Sequence, residues 1–224
     1  MEHLQAEMDA LRNEMLEMYK LVLSQVERAQ TALIDNNLSV VKEIAYNEKL
    51  VNAKELQIDS RCETILALFT PVAVDLRFVL SALKININLE RIGDIADNIA
   101  RMVSHTKPGF DREFLEKINA KEAFAMALDM YKNLLQSFEK EDTLLARDIL
   151  IKDEALDNIT DESVSIAEEY TKLKPESITQ AIPVISIMKM VERIGDHLKN
   201  IAEEIIFYIE AKVLKHNEEE AEKD

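Results

Sequence analysis

One phrase, used twice, limits what this chain can fold into. Glu90-Arg91-Ile92-Gly93-Asp94 returns as Glu192-Arg193-Ile194-Gly195-Asp196, and the copies run on into Asn98-Ile99-Ala100 and Asn200-Ile201-Ala202. An internal repeat of this kind is one supersecondary unit built twice, so the architecture of one half constrains the other. The offset of 102 residues, from Glu90 to Glu192, also aligns the flanking segments. Those segments are helical in pattern. Phe78, Ala82, Ile85, Leu89, Ile92, Ala96, Ile99 and Val103 recur at steps of four and three, as do Val184, Ile187, Val191, Ile194, Leu198, Ile201 and Ile205, which is the spacing of one helix face.

Few breakers interrupt this pattern. The 224 residues include only three Gly and four Pro, and Ala, Leu, Ile, Glu and Lys dominate, as in an almost all-helical protein. A first helix is predicted over about 4–33 from Leu4, Met8, Leu11, Met15, Met18, Val22 and Val26. Asp35-Asn36-Asn37 supplies turn and capping chemistry before a second helix, about Leu38 to Phe69. Thr70-Pro71 ends it, because a residue before proline is pushed out of the helical region. A third helix runs from near Pro71 to about Val103, and the turn signal His105-Thr106-Lys107-Pro108-Gly109 follows. A fourth helix is predicted over Asp111 to Phe138, a fifth over Thr143 to Leu173, and a sixth over Glu176 to Leu214. Pro183 predicts a kink or late start in the last.

The expected fold is therefore all-α, with six long helices in two tandem antiparallel three-helix bundles. Residues 1–106 form the first repeat, 110–216 the second, and 217–224 a charged tail.

A net charge of −16 argues against binding a nucleic-acid backbone and suits a cation or a basic partner. The single Cys62 excludes an internal disulfide and fits a reducing compartment. No signal peptide is visible, and no stretch approaches the roughly 18 to 20 apolar residues of a membrane span. A cytoplasmic protein is expected.

Functional chemistry concentrates on the repeated phrase. Glu90, Asp94 and Asn98 share one helix face, as do Glu192, Asp196 and Asn200. The fifth helix carries Asp153, Asp157 and Asp161 at the same spacing. A stripe of this kind alone is ordinarily a solvated face. Here it recurs, and it continues an apolar seam expected to be buried: Leu76, Leu80, Leu83 and Ile87 lead into Glu90, Asp94 and Asp97. In the second half Ile178, Ile182 and Ile185 lead to Glu192 and Asp196, with Lys189 interrupting. Each phrase also holds a glycine, which costs about 1 kcal/mol relative to Ala inside a helix and so predicts a close approach to the backbone. All-oxygen ligand sets suit Mg, Mn, Fe or carboxylate-bound Zn. An offset of 106 residues pairs Asp153, Asp157 and Asp161 with Asn47, Val51 and Glu55, so the site around Glu192 and Asp196 is expected to be the stronger. A metal-dependent hydrolase would want a general base or a phosphate-binding cation beside the metal, and neither a His cluster nor a Gly-rich phosphate loop is present.

The stretch Thr70-Pro71-Val72-Ala73-Val74-Asp75-Leu76-Arg77, with Ala82-Leu83-Lys84, Leu89 through Ala100, the second-half phrase, and the spacing of Asn47, Glu55 and Asp59, resembles the PhoU family of bacterial phosphate-transport regulators. The resemblance covers essentially the whole chain. It implies a non-enzymatic, metal-binding cytoplasmic adaptor, placed at the inner membrane only through its partners. The implied partners are the ATPase subunit of the Pst phosphate transporter and a PhoR-type sensor kinase, and the implied action is to restrain the phosphate-starvation response. An accessory subunit of another phosphate transporter is the alternative. The resemblance also implies multinuclear clusters, iron or zinc before Mg or Mn, at Glu90, Asp94, Asn98, Asp153, Asp157, Asp161, Glu192, Asp196 and Asn200. Long amphipathic helices allow a homodimer without requiring one.

Overall fold

A computed structural model describes residues 2–106 and 109–214. The proposed tail 217–224, and Lys107 and Pro108 of the predicted break, lie outside the described residues. The helices are α1 (Glu2–Ile34), α2 (Val41–Phe69), α3 (Ala73–His105), α4 (Arg112–Lys117), α5 (Ala120–Lys140), α6 (Thr143–Leu173) and α7 (Ile178–Glu210). Single 3-10 turns, Leu38–Val40 and Pro175–Ser177, lead into α2 and α7.

Local chemistry sets these boundaries. Asn37 Oδ1 accepts from the Ser39 amide at 3.1 Å, and Asp142 Oδ1 from that of Leu144 at 3.0 Å, so each side chain satisfies a backbone donor left free at a helix start. Thr70 takes a left-handed φ of 43° as α2 stops before Pro71. α7 passes through Pro183 unbroken. The residue is in the second turn, so the i−4 carbonyl that loses its donor belongs to Thr179 in the first, where the disruption is small.

One predicted helix is two. The segment expected as a single helix from Asp111 to Phe138 breaks at Ile118–Asn119, where Asn119 has φ 56°. A left-handed residue cannot continue a right-handed helix, and Asn tolerates that conformation better than most. The short α4 is fastened to the second bundle by Phe114 stacked on Tyr170, with ring centroids 4.7 Å apart, and by the Tyr170 hydroxyl donating to Asp111 Oδ2 at 2.7 Å.

α1, α2 and α3 pack on one another, and α5, α6 and α7 form the equivalent unit. The bundles join along α3–α7 and α1–α5 and share one continuous apolar core. At the α1–α5 contact, Tyr131 donates its hydroxyl to the Tyr19 carbonyl at 2.9 Å. The Arg12 guanidinium lies 4.7 Å from the centroid of Phe78 and 2.6 Å from Glu141. At the α3–α7 contact, Glu204 is buried and accepts from Lys84 Nζ at 3.0 Å and Ser81 Oγ at 3.2 Å. His197, facing away from Glu192, is buried there with Nδ1 2.9 Å from Asn88 Oδ1. Burial, then the charges of Arg91 and Arg193, lower its pKa to about 4. It is a neutral interface residue rather than a ligand.

The fully apolar seams of α3 and α7 are buried as expected. The seams that lead into the carboxylates are not. Leu76, Leu80 and Ile87 are 36%, 40% and 41% exposed, and Ile178 and Ile182 are 49% and 64% exposed. α3 has α1, α2 and α7 around it, which leaves one stripe uncovered. An apolar period identifies a face but does not guarantee a neighbour for it.

Candidate functional site

Both glycines mark close contacts. A Cβ on Gly93 would lie 2.9 Å from Gln25 Oε1, 3.3 Å from Val51 Cγ1 and 3.4 Å from Glu48 Oε2. One on Gly195 would lie 2.7 Å from Leu156 Cδ2 and 3.2 Å from Asp153 Oδ1. Glu48 and Val51 thus occupy in α2 the places of Asp153 and Leu156 in α6. That correspondence is an offset of 105 residues, not the 106 expected from the aspartate stripe. The counterparts of Asp153, Asp157 and Asp161 are Glu48, Asn52 and Leu56, and Asn47 and Val51 are not degenerate ligands.

In the first half the helices α2 and α3 bring together Glu48, Glu55, Glu90, Asp94 and Asp97. Glu48 is 9% exposed, with Oε2 accepting from Gln25 Nε2 at 3.1 Å. Burial, followed by the charges of Asp94 and Asp97, pushes its pKa up to about 7 against the relief given by Gln25. Glu90 is raised by burial, then by Asp94 and Glu55, and Glu55 by burial, then by Asp59 and Asp94. Asp97 is likewise raised by burial, although Arg101 approaches Oδ2 at 2.7 Å from the solvent side and partly offsets this. Buried oxygens remain without hydrogen-bond donors at Gln25 Oε1, Glu48 Oε1 and Asp97 Oδ1. Asn98 is exposed and accepts from Arg101 at 3.2 Å instead of joining the cluster.

The second half assembles Asp153, Asp157, Glu192 and Asp196 between α6 and α7. Asp153 is 2% exposed, with its Oδ2 2.9 Å from Lys199 Nζ. Burial and then Asp153, Asp196 and Glu192 raise Asp157 to about 6. Burial, then Asp153 and Glu192, raise Asp196. Glu192 Oε2 accepts from Thr160 Oγ1 at 2.9 Å and from Lys189 Nζ at 2.6 Å. Asp161 is exposed and joins only through Lys189, at 2.8 Å, and Asn200 is half-buried.

Sequence reasoning located Glu90, Asp94, Glu192, Asp196, Asp153 and Asp157 and overlooked Gln25, Glu48 and Lys199 as cluster members. Glu48 was legible: moving the α2/α6 offset by one residue places an acid opposite Asp153.

The donor chemistry suits a hard cation in the first half, where buried acceptors lack donors and the cations acting on the acids are two arginines, Arg101 at Asp97 and Arg91 at Glu90. Among the described residues no group of three or more His, Cys, Asp or Glu is arranged to hold a metal ion. Loading would therefore require these side chains to rearrange.

The fold is a duplicated three-helix unit that gathers carboxylates between two helices of each copy, α2 and α3 in the first and α6 and α7 in the second. The PhoU domain model matches residues 15–103 and 120–205, one match per bundle. The chain belongs to the PhoU family, whose members are accessory and regulatory proteins rather than enzymes. A Burkholderia sp. phosphate-specific transport system accessory protein PhoU homolog is 32% identical over 212 residues, covering 94% of this chain and 90% of that protein. The Escherichia coli PhoU accessory protein is 28% identical, covering 94% and 87%. The crystal structure of PhoU from Pseudomonas aeruginosa superimposes with a TM-score of 0.84 at 29% identity over 93% of this chain and 99% of that one. The phosphate transport system regulatory protein PhoU from Streptococcus pneumoniae gives 0.81 at 26%, covering 94% and 98%.

Proposed function

We propose that this chain is an accessory and regulatory protein of a phosphate-specific transport system. It restrains the phosphate-starvation response as an adaptor between the transporter's ATPase subunit and a PhoR-type histidine kinase, and it works on the cytoplasmic side. The family match across both bundles carries this reading, and the accessory-protein names of the relatives support it. No helix among the described residues is long and apolar enough to cross a membrane, so membrane contact would come through partners. The net charge of −16 suits a partner with a basic face.

The reading includes a metal site in the α2–α3 cleft. Glu48, Glu90, Asp94 and Asp97 would hold the ion, with Gln25 behind them. A divalent or trivalent cation there would neutralise the clustered carboxylates and tie α2 to α3. The unpartnered buried oxygens of Gln25, Glu48 and Asp97 support this. A cleft of about 610 Å³, lined by Ile34, Asp35, Arg112, Leu115 and Glu116 among others, shares no residue with it.

Deleting the gene should leave phosphate-starvation genes expressed in phosphate-rich medium, and affinity capture should retrieve the transporter ATPase. Unchanged expression after deletion would defeat the regulatory reading. Absence of bound metal from protein purified without chelator, and after metal addition, would defeat the metal reading.

A further inference from the structure

The two clefts share a backbone plan but not a charge balance. Under the α3/α7 offset of 102 residues, Lys199 stands where the first half has Asp97, and Lys189 where it has Ile87. Both lysines turn into the second cleft. Lys199 Nζ lies 2.9 Å from Oδ2 of the buried Asp153. Lys189 Nζ bridges Glu192 Oε2 at 2.6 Å and Asp161 Oδ1 at 2.8 Å. Orphaned oxygens persist there at Asp153 Oδ1 and Asp157 Oδ1, but Asp153 already holds an ammonium on its other oxygen. In the first cleft Ile87 provides no charge, Asp97 adds an acid, and Arg101 reaches that acid from the exposed side with its own side chain 57% exposed.

We infer that the second cleft is closed to metal by the chain's own lysines, so that metal occupies the first cleft alone. The inference rests on the metal reading above for the first cleft, and it assigns Lys189 and Lys199 as tethered counter-ions in place of a metal. A tethered ammonium is always present at high local concentration, and a divalent cation entering the cleft must displace it or sit beside it. Both ammonium groups are nearly half exposed, so an effective dielectric constant of about 50 applies, and at a separation of about 5 Å the repulsion between a divalent ion and an ammonium then weakens binding roughly a hundredfold. Oxygen-rich clefts of similar outline thus differ in function through two positions, and the pseudo-symmetric protein becomes a one-site protein.

Mn²⁺ binding tests this, counted from the loss of the free-ion electron paramagnetic resonance signal on addition to the full-length, chelator-treated protein. In wild type, Glu90→Gln/Asp94→Asn should abolish binding, and Glu192→Gln/Asp196→Asn should leave it unchanged. Lys189→Met/Lys199→Met should gain a second class of sites, at least about a hundredfold tighter than any second-cleft binding in wild type, and Glu192→Gln/Asp196→Asn in that background should remove it. Ile87→Lys, at an exposed position three residues before Glu90, should weaken the first site by importing the second-cleft device without disturbing the core. Circular dichroism confirms folding of each variant, and Lys199→Gln replaces Lys199→Met if the latter misfolds. Wild-type binding lost through Glu192→Gln/Asp196→Asn, or lysine variants that bind no more Mn²⁺ than wild type, would overturn the inference. Binding by the lysine variant but none by wild type would refute the metal reading of the first cleft while supporting closure of the second.

Discussion

Glu48→Gln isolates the electrostatic strain in the first cleft. Glu48 has its pKa raised from 4.5 to about 7, chiefly by burial. Between those values the folded chain keeps a proton that the unfolded chain has released. Stability due to this group is therefore highest below about pH 4.5 and falls as pH rises through 7. A difference of this size corresponds to about 3 kcal/mol at about 1.4 kcal/mol per pH unit. Gln keeps the shape and the contact with Gln25 without the charge. Urea unfolding in chelator should find Glu48→Gln close to wild type near pH 4, and more stable by up to about 3 kcal/mol near pH 8. Glu55, Glu90 and Asp97 strain in the same direction, and His197 acts in the opposite one. The slopes of Glu55, Glu90 and His197 are common to both proteins and cancel to a first approximation, whereas Asp97, coupled to Glu48 by charge, relaxes toward its ordinary value in the variant and adds to the gain at high pH. The same difference between the two proteins at both pH values would refute the account, because the strain would then not reside in the Glu48 charge.

His197 should impose a second, oppositely signed dependence. Its pKa is lowered from 6.5 to about 4, so stability is lost as pH falls below 6.5. His197→Gln should flatten that limb of a thermal-unfolding profile by up to about 3 kcal/mol. Gly195→Ala gains about 1 kcal/mol of helix propensity but drives a methyl to 2.7 Å from Leu156 Cδ2 and 3.2 Å from Asp153 Oδ1. Overpacking of this kind costs about 1–3 kcal/mol, so denaturant titration should show a net loss near 1 kcal/mol. Arg12→Ala removes a cation stacked on Phe78 and an ion pair to Glu141. It should cost about 1–2 kcal/mol in the same assay while leaving Mn²⁺ binding unchanged.

The sequence by itself determined the helical class, the duplication, and which carboxylates share a face on α3, α6 and α7. A period of 3.6 residues fixes the face of a helix from composition and spacing alone. The glycine pair was equally legible, because a residue unfavourable inside a helix appears twice at equivalent places, and both copies touch a neighbouring helix. Asn119 was missed because its segment keeps an apolar rhythm on both sides of the break. Only the tertiary structure decided which acids of α2 and α6 stand opposite the repeated phrase. Axial register between helices depends on how Val51 and Leu156 seat against Gly93 and Gly195, and no pattern within one helix records that contact. It also decided that the seams before the carboxylates are open to solvent, since apolar spacing does not say whether a partner covers the face. The lysine in the second cleft was hidden for the same reason. Lys199 reads as a surface residue beside Asp196 in the chain, and only the packing of α7 on α6 brings its ammonium onto buried Asp153.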